Sequence, residues 1–129
     1  IGYSISNIEI ANILNRARQP FNNNSLAQAA AIASLDDEEH VINSVSMNNA
    51  GKAYLQSAFS DMGLRYLPTM GNFISVNVEQ DGMAQYQRLL QQGVIVRPVT
   101  NYAMPDYLRI TIGMQQQNER FIETFRQCL

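Results

Sequence analysis

Residues 93–113, GVIVRPVTNYAMPDYLRITIG, carry two β-branched runs separated by a Tyr/Pro-containing loop. Val94, Ile95 and Val96 are a short β-branched run of the kind that packs inside a sheet, and it stops at Arg97-Pro98, where the proline ring removes a ladder donor. A second strand follows. From Tyr107 to Ile112 strict alternation puts Leu108, Ile110 and Ile112 on one face and Tyr107, Arg109 and Thr111 on the other, before Gly113 ends the run. Arg109 therefore points away from the face its neighbours bury. With Arg97 on a neighbouring strand, the stretch offers two forked guanidinium donors to an anionic ligand, although spacing alone favours two arginines on a solvated sheet face.

Working outward toward the N-terminus, the same period-2 pattern recurs at Asn72–Val78, with Ile74, Val76 and Val78 opposite Phe73, Ser75 and Asn77. A shorter run, Leu64–Leu67, reads as a strand ended by Pro68. Between the strand pairs, Asp81 caps a helix carrying Met83, Tyr86, Leu89 and Leu90, closed by Gly93. A last helix from about Gln115 presents Phe121, Ile122, Phe125, Cys128 and Leu129 on one face.

Before the strands the period is helical. A capping-box pattern at Ser6-Asn7-Ile8-Glu9 opens a first helix reaching about Arg16, and Arg18-Gln19-Pro20 breaks it because the residue before proline leaves the helical region. Ser25-Leu26-Ala27-Gln28 repeats the box and opens an alanine-rich helix to Leu35, whose small side chains permit close packing. Asp36-Asp37-Glu38-Glu39 then starts a long helix running to about Met62, with Gly63 as its stop and Val41, Val45, Leu55, Phe59 and Met62 as its apolar stripe. Four acids there read as a solvated first turn favoured by the helix dipole, by roughly 0.3–1 kcal/mol each, and no metal site is expected from them.

The expected fold class is an α+β two-layer domain: a mixed, largely antiparallel sheet covered on one face by the long, middle and last helices. Residues 1–35 are expected to be linking helices without a sheet of their own, and 36–129 the small domain. Ile1-Gly2-Tyr3-Ser4 lacks an initiator methionine and reads as a strand begun mid-element, so the chain is expected to be part of something longer.

Composition narrows the function classes. At 129 residues and 46% hydrophobic content the chain can bury one ordinary core, and a formal net charge of −2 gives no electrostatic reason to expect nucleic acid or an anionic membrane as partner. No apolar run approaches the ~20 residues needed to span a bilayer, and a cytoplasmic location is expected. Cys128 is the only cysteine, expected to pack in the last helix. His40, the only histidine, has no nucleophile motif around it and reads as a partly exposed helix residue. Lys52, the only lysine, lies mid-helix at Gly51-Lys52-Ala53, a setting that argues against covalent attachment to a cofactor.

The order Gly-Val-Ile-Val-Arg-Pro, a Tyr/Pro-containing loop, then Leu-Arg-Ile-Thr-Ile-Gly, resembles the C-terminal domain of fold-type I aminotransferases that use pyridoxal phosphate. Together with Arg18–Ala31 (RQPFNNNSLAQAAA), it is most similar to the histidinol-phosphate aminotransferase subfamily. The resemblance implies a parent enzyme, typically a homodimer, that exchanges an amino group between histidinol phosphate and 2-oxoglutarate, with glutamate as the partner product. It implies that Arg109 anchors the anionic end of the substrate and that Arg97 assists. The family's cofactor-binding lysine, the acid paired with the pyridine nitrogen and the stacked aromatic lie upstream of the position matching Ile1. Catalytic and cofactor-binding residues are thus expected to be absent here, pyridoxal phosphate is expected to bind the parent enzyme and not this chain, and residues 1–35 are expected to pack on a missing large domain. Three other readings stay open: a related class I/II aminotransferase acting on aromatic amino acids, a non-catalytic small-molecule-binding module, and an assembly domain using the alanine-rich helix.

Overall fold

The computed structural model describes residues 1–129, which divide into two compact units, Ile1–Ile42 and Asn43–Leu129. The first unit holds α1 (Ile8–Ala17) and α2 (Ser25–Leu35). Relative to a serine cap, α1 starts one residue later and α2 one residue earlier. Asn7 Oδ1 accepts from Ile10 N–H at 2.9 Å and Asn24 Oδ1 accepts from Ala27 N–H at 2.8 Å, so asparagines, not Ser6 and Ser25, are the caps. Both residue types satisfy an orphan helix donor about equally well, and the spacing did not distinguish them. Residues 1–4 form no strand. No residue of this unit is buried, and Ile8, Ile13, Leu26, Ile32 and Leu35 are all exposed.

The division between units falls within α3 (Glu38–Asp61). Asp37 Oδ1 accepts from His40 N–H at 3.0 Å, so the acidic run does serve the helix start, and no cluster of metal-ligating side chains occurs. The expected apolar stripe holds only in the second half. Leu55 and Phe59 are fully buried, whereas Val41 and Val45 are each 55% exposed. Gly51 marks the point of closest approach: a Cβ there would stand 2.7 Å from both Asn118 Nδ2 and Ile112 Cγ2.

The second unit is an α+β domain built on three strands, β1 (Phe73–Asn77), β2 (Arg97–Pro98) and β3 (Tyr107–Thr111), in the order β1-β3-β2. Every pairing is antiparallel, so the sheet is not mixed. Ile74, Val76, Val78, Leu108, Ile110 and Ile112 are buried as their alternation requires. Over them lie Leu55 and Phe59 of α3, Leu89 of α4 (Gly82–Gln91), and Phe121, Ile122 and Phe125 of α5 (Gln115–Cys128). Phe59 meets Phe121 and Phe125 edge-on at 6.2 and 6.1 Å between ring centroids, and Phe121 stacks on Phe125 at 5.2 Å. Such aromatic pairs contribute about 0.5–1.5 kcal/mol each beyond area burial.

Two expected strands are reduced. Leu64–Leu67 makes one bridge, Tyr66 to Val76, with Leu67 N–H donating to Ser75 O at 2.9 Å and Asn77 N–H to Arg65 O at 2.8 Å, before Pro68 ends the pairing. Val94–Val96 does not pair at all; the ladder begins at Arg97, where the run was expected to stop. The cause lies at Gly93, whose φ of +74° closes α4: Gly93 N–H donates to Leu90 O and Val94 N–H to Leu89 O, a helix-ending motif that uses the first strand donor. Pro98 is tolerated because β2 is an edge strand.

Within α4, Asp81 Oδ1 accepts from Met83 N–H at 2.8 Å as the sequence indicates, but Met83 and Leu90 are 41% and 43% exposed. The fully buried residue on that helix besides Leu89 is Gln85. Its Oε1 accepts from Arg88 Nη1 at 3.0 Å, and the same nitrogen donates to Cys128 O at 2.9 Å while Nη2 donates to Gln80 Oε1 at 3.1 Å. Arg88 thereby ties α4 to the end of α5, where Cys128 is half-buried against the core.

Candidate functional site

The two arginines singled out in the sequence face each other. In the β2–β3 ladder Arg97 is the register partner of Arg109, and on the other side of β3 Arg109 pairs with Ser75. Directly opposed residues in an antiparallel pair share a face of the sheet, so Arg97, Arg109 and Ser75 form one row on the face away from the core. Arg97 is exposed and Arg109 half-buried. Neither cross-strand neighbour of Arg109 is an acid.

What holds Arg109 is an aromatic ring. Its Cζ lies 4.9 Å from the centroid of Phe73, two residues along β1 from Ser75, and Phe73 is 37% exposed. Arg109 Nε is buried with no hydrogen-bond partner, and no hydrogen bond within the chain engages the outer nitrogens, so the ring is the contact the guanidinium makes. Phe73 was legible as a residue of the polar face but not as a partner of Arg109. The available signal was an aromatic on an otherwise polar alternating face.

The strand that carries Arg109 is fixed at its end by Asn118. This residue is 3% exposed, and its amide pairs both ways with Gly113: Gly113 N–H donates to Oδ1 and Nδ2 donates to Gly113 O, each at 2.9 Å. Gln117 Oε1 accepts from Met114 N–H at 2.9 Å, closing the turn into α5. A cleft of about 350 Å³ lies beside this turn, lined by Val94–Val96, Ile110, Thr111, Asn118 and Arg120 among others, and neither Arg97 nor Arg109 lines it. The arginine pair thus lies apart from this cleft, on the sheet face away from the core.

Pyridoxal phosphate does not fit the groups this chain provides. Lys52 is half-buried in the middle of α3 and lines none of the clefts around α3, α5 and the sheet edge, and no constellation pairs it with an acid or a stacking ring.

Fold and sequence now define the class. Residues 1–125 match the family model described as "Aminotransferase class I and II", and the chain belongs to that family. Across all 129 residues it is 49% identical to histidinol-phosphate aminotransferase 2 of Pseudomonas fluorescens, matching 35% of that protein. Among solved structures, it resembles the histidinol-phosphate aminotransferase from Clostridium acetobutylicum with a TM-score of 0.85 at 22% identity, covering 94% of this chain and 38% of that one. The enzyme from Sinorhizobium meliloti, in complex with pyridoxal-5'-phosphate, gives a TM-score of 0.81 at 21% identity over 94% of this chain and 35% of that one. At these identities the structural likeness speaks for fold alone. The chain spans about a third of the length of the curated relatives it matches. No helix is long and apolar enough to cross a membrane.

Proposed function

We propose that this chain is the C-terminal, substrate-anchoring domain of a pyridoxal-phosphate-dependent aminotransferase that moves an amino group between histidinol phosphate and 2-oxoglutarate in histidine biosynthesis. The observation that carries the reading is the register pairing of Arg97 with Arg109 on the open face of the sheet. Two guanidinium groups side by side suit a dianionic phosphate, and each can also take a carboxylate as a bidentate fork. Fixing the anion orients the amine and the Cα–H bond at the other end of the substrate, and such orientation supplies part of the barrier reduction.

In this reading Arg109 is the principal anchor and Arg97 its assistant. The large domain, which holds the cofactor and the lysine that binds it, lies outside this chain, so the chain alone is inactive. The exposed apolar residues of α1 and α2 pack on that domain, consistent with a unit in which nothing is buried. The complete enzyme is a cytoplasmic homodimer.

The test is Arg109→Lys in the full-length protein. The charge stays but the fork is lost. Charge-assisted hydrogen bonds contribute about 1.5–3 kcal/mol, so kcat/KM for histidinol phosphate is expected to fall about 10- to 100-fold. An unchanged kcat/KM overturns the assignment.

A further inference from the structure

A guanidinium that grips an anion must present its fork in a fixed plane, and a long arginine side chain on a strand has the freedom to rotate away. Hydrogen bonds from Nε usually remove that freedom. Here Nε is buried without a hydrogen-bond partner, and the Phe73 ring, its centroid 4.9 Å from Cζ, is the contact left to the guanidinium. Phe73 is not the cross-strand partner of Arg109; that place is taken by Ser75, whose short side chain leaves the guanidinium room to lean diagonally onto the ring.

We propose that Phe73 is a positioning residue for substrate anion binding: its ring face holds the Arg109 guanidinium by a cation–π contact and aims the outer nitrogens at the anion. The inference rests on the anchoring role of Arg109 proposed above. A ring serves here where a carboxylate would fail, because an acid in this place would hold the plane equally well but compete with the substrate for the same charge. The ring quadrupole attracts the cation and leaves the hydrogen-bond donors unspent.

The test measures binding of inorganic phosphate to the full-length protein by calorimetry, together with KM and kcat for histidinol phosphate. Arg109→Lys should weaken phosphate binding. Phe73→Leu, which keeps an apolar side chain but removes the ring, should weaken it about five- to tenfold and raise KM more than it lowers kcat. Phe73→Tyr should stay within twofold of the unaltered protein. Phe73→pentafluorophenylalanine keeps ring shape and apolar character while reversing the quadrupole, so it should behave like Phe73→Leu although the ring's contact area is preserved. If Arg109→Lys leaves phosphate binding unchanged, the anion site itself is wrong and this inference falls with it. If Arg109→Lys weakens binding but Phe73→Leu or the fluorinated ring leaves it within twofold, the anion site stands and the role given to Phe73 is refuted.

Discussion

Asn118→Ala should be among the most costly single changes to a polar side chain in this chain. The Asn118 amide donates to and accepts from Gly113 at 2.9 Å on both sides, in a place where the residue is 3% exposed. Removing it leaves the Gly113 N–H and C=O unpaired, and each buried orphan costs about 1–3 kcal/mol, reduced where water enters the space the amide vacates. A loss of about 2–4 kcal/mol follows. Domains of this size are stable by only ~5–15 kcal/mol, so the change removes a large share of the total and lowers Tm by about 10 °C or more. Urea unfolding gives the figure directly, provided the slope stays constant between variants. Gly51→Ala supplies a linked measurement, since the new methyl collides with Asn118 Nδ2 and with Ile112 Cγ2 at 2.7 Å. In the Asn118→Ala background one of those collisions is gone, and the double variant should lose less than the sum of the singles. A cost for Asn118→Ala below about 0.5 kcal/mol, or strict additivity with Gly51→Ala, would refute the view that this amide is what closes the β3–α5 turn.

Gly93→Ala places a Cβ at φ +74° and within 3.3 Å of Arg120 Nη2, so it should destabilise by about 1–2 kcal/mol in the same unfolding assay, with no loss if the turn relaxes to a different conformation. Arg88→Leu removes the donors to Gln85, Gln80 and the Cys128 carbonyl and leaves the fully buried Gln85 short of a partner. Its expected cost is about 1–3 kcal/mol, with faster hydrogen exchange at the end of α5 as the local signature; unchanged exchange there would show that Arg88 does not hold the helix.

How far the sequence could be read follows from which contacts are local. Ile74-Val76-Val78 and Leu108-Ile110-Ile112 announce two strands with one buried face because burial is decided residue by residue at period 2. Gly63 and Gly93 announce helix ends for an equally local reason. Val94–Val96 misled because β-branched composition fits a strand, while the backbone donor needed for pairing was already committed to the end of α4. Asn118 and Gln85 were not singled out in the sequence, because a periodic pattern of apolar residues does not encode the burial of a polar one. The site was legible in part. Arg109 stood out by its place in the alternation, and Arg97 by its adjacency to Pro98, but that the two are opposed depends on the order β1-β3-β2 and on register.

That register also bears on why the pair exists. Like charges directly opposite each other weaken a strand pair by some tenths of a kcal/mol to about 1 kcal/mol, and β2 is only two residues long, so it has little pairing energy with which to absorb the cost. A sheet selected for stability alone would place an acid or a threonine at one of the two positions. An edge strand that is short, ends in Pro98 and keeps Arg97 opposite Arg109 instead leaves a row of uncompensated positive charge, which an anion seated between the two guanidinium groups would neutralise. On the proposed anchoring role, the short β2 and the like-charge pair it carries have one common reason, since the register that weakens the edge is the register that sets the two guanidinium-bearing residues side by side.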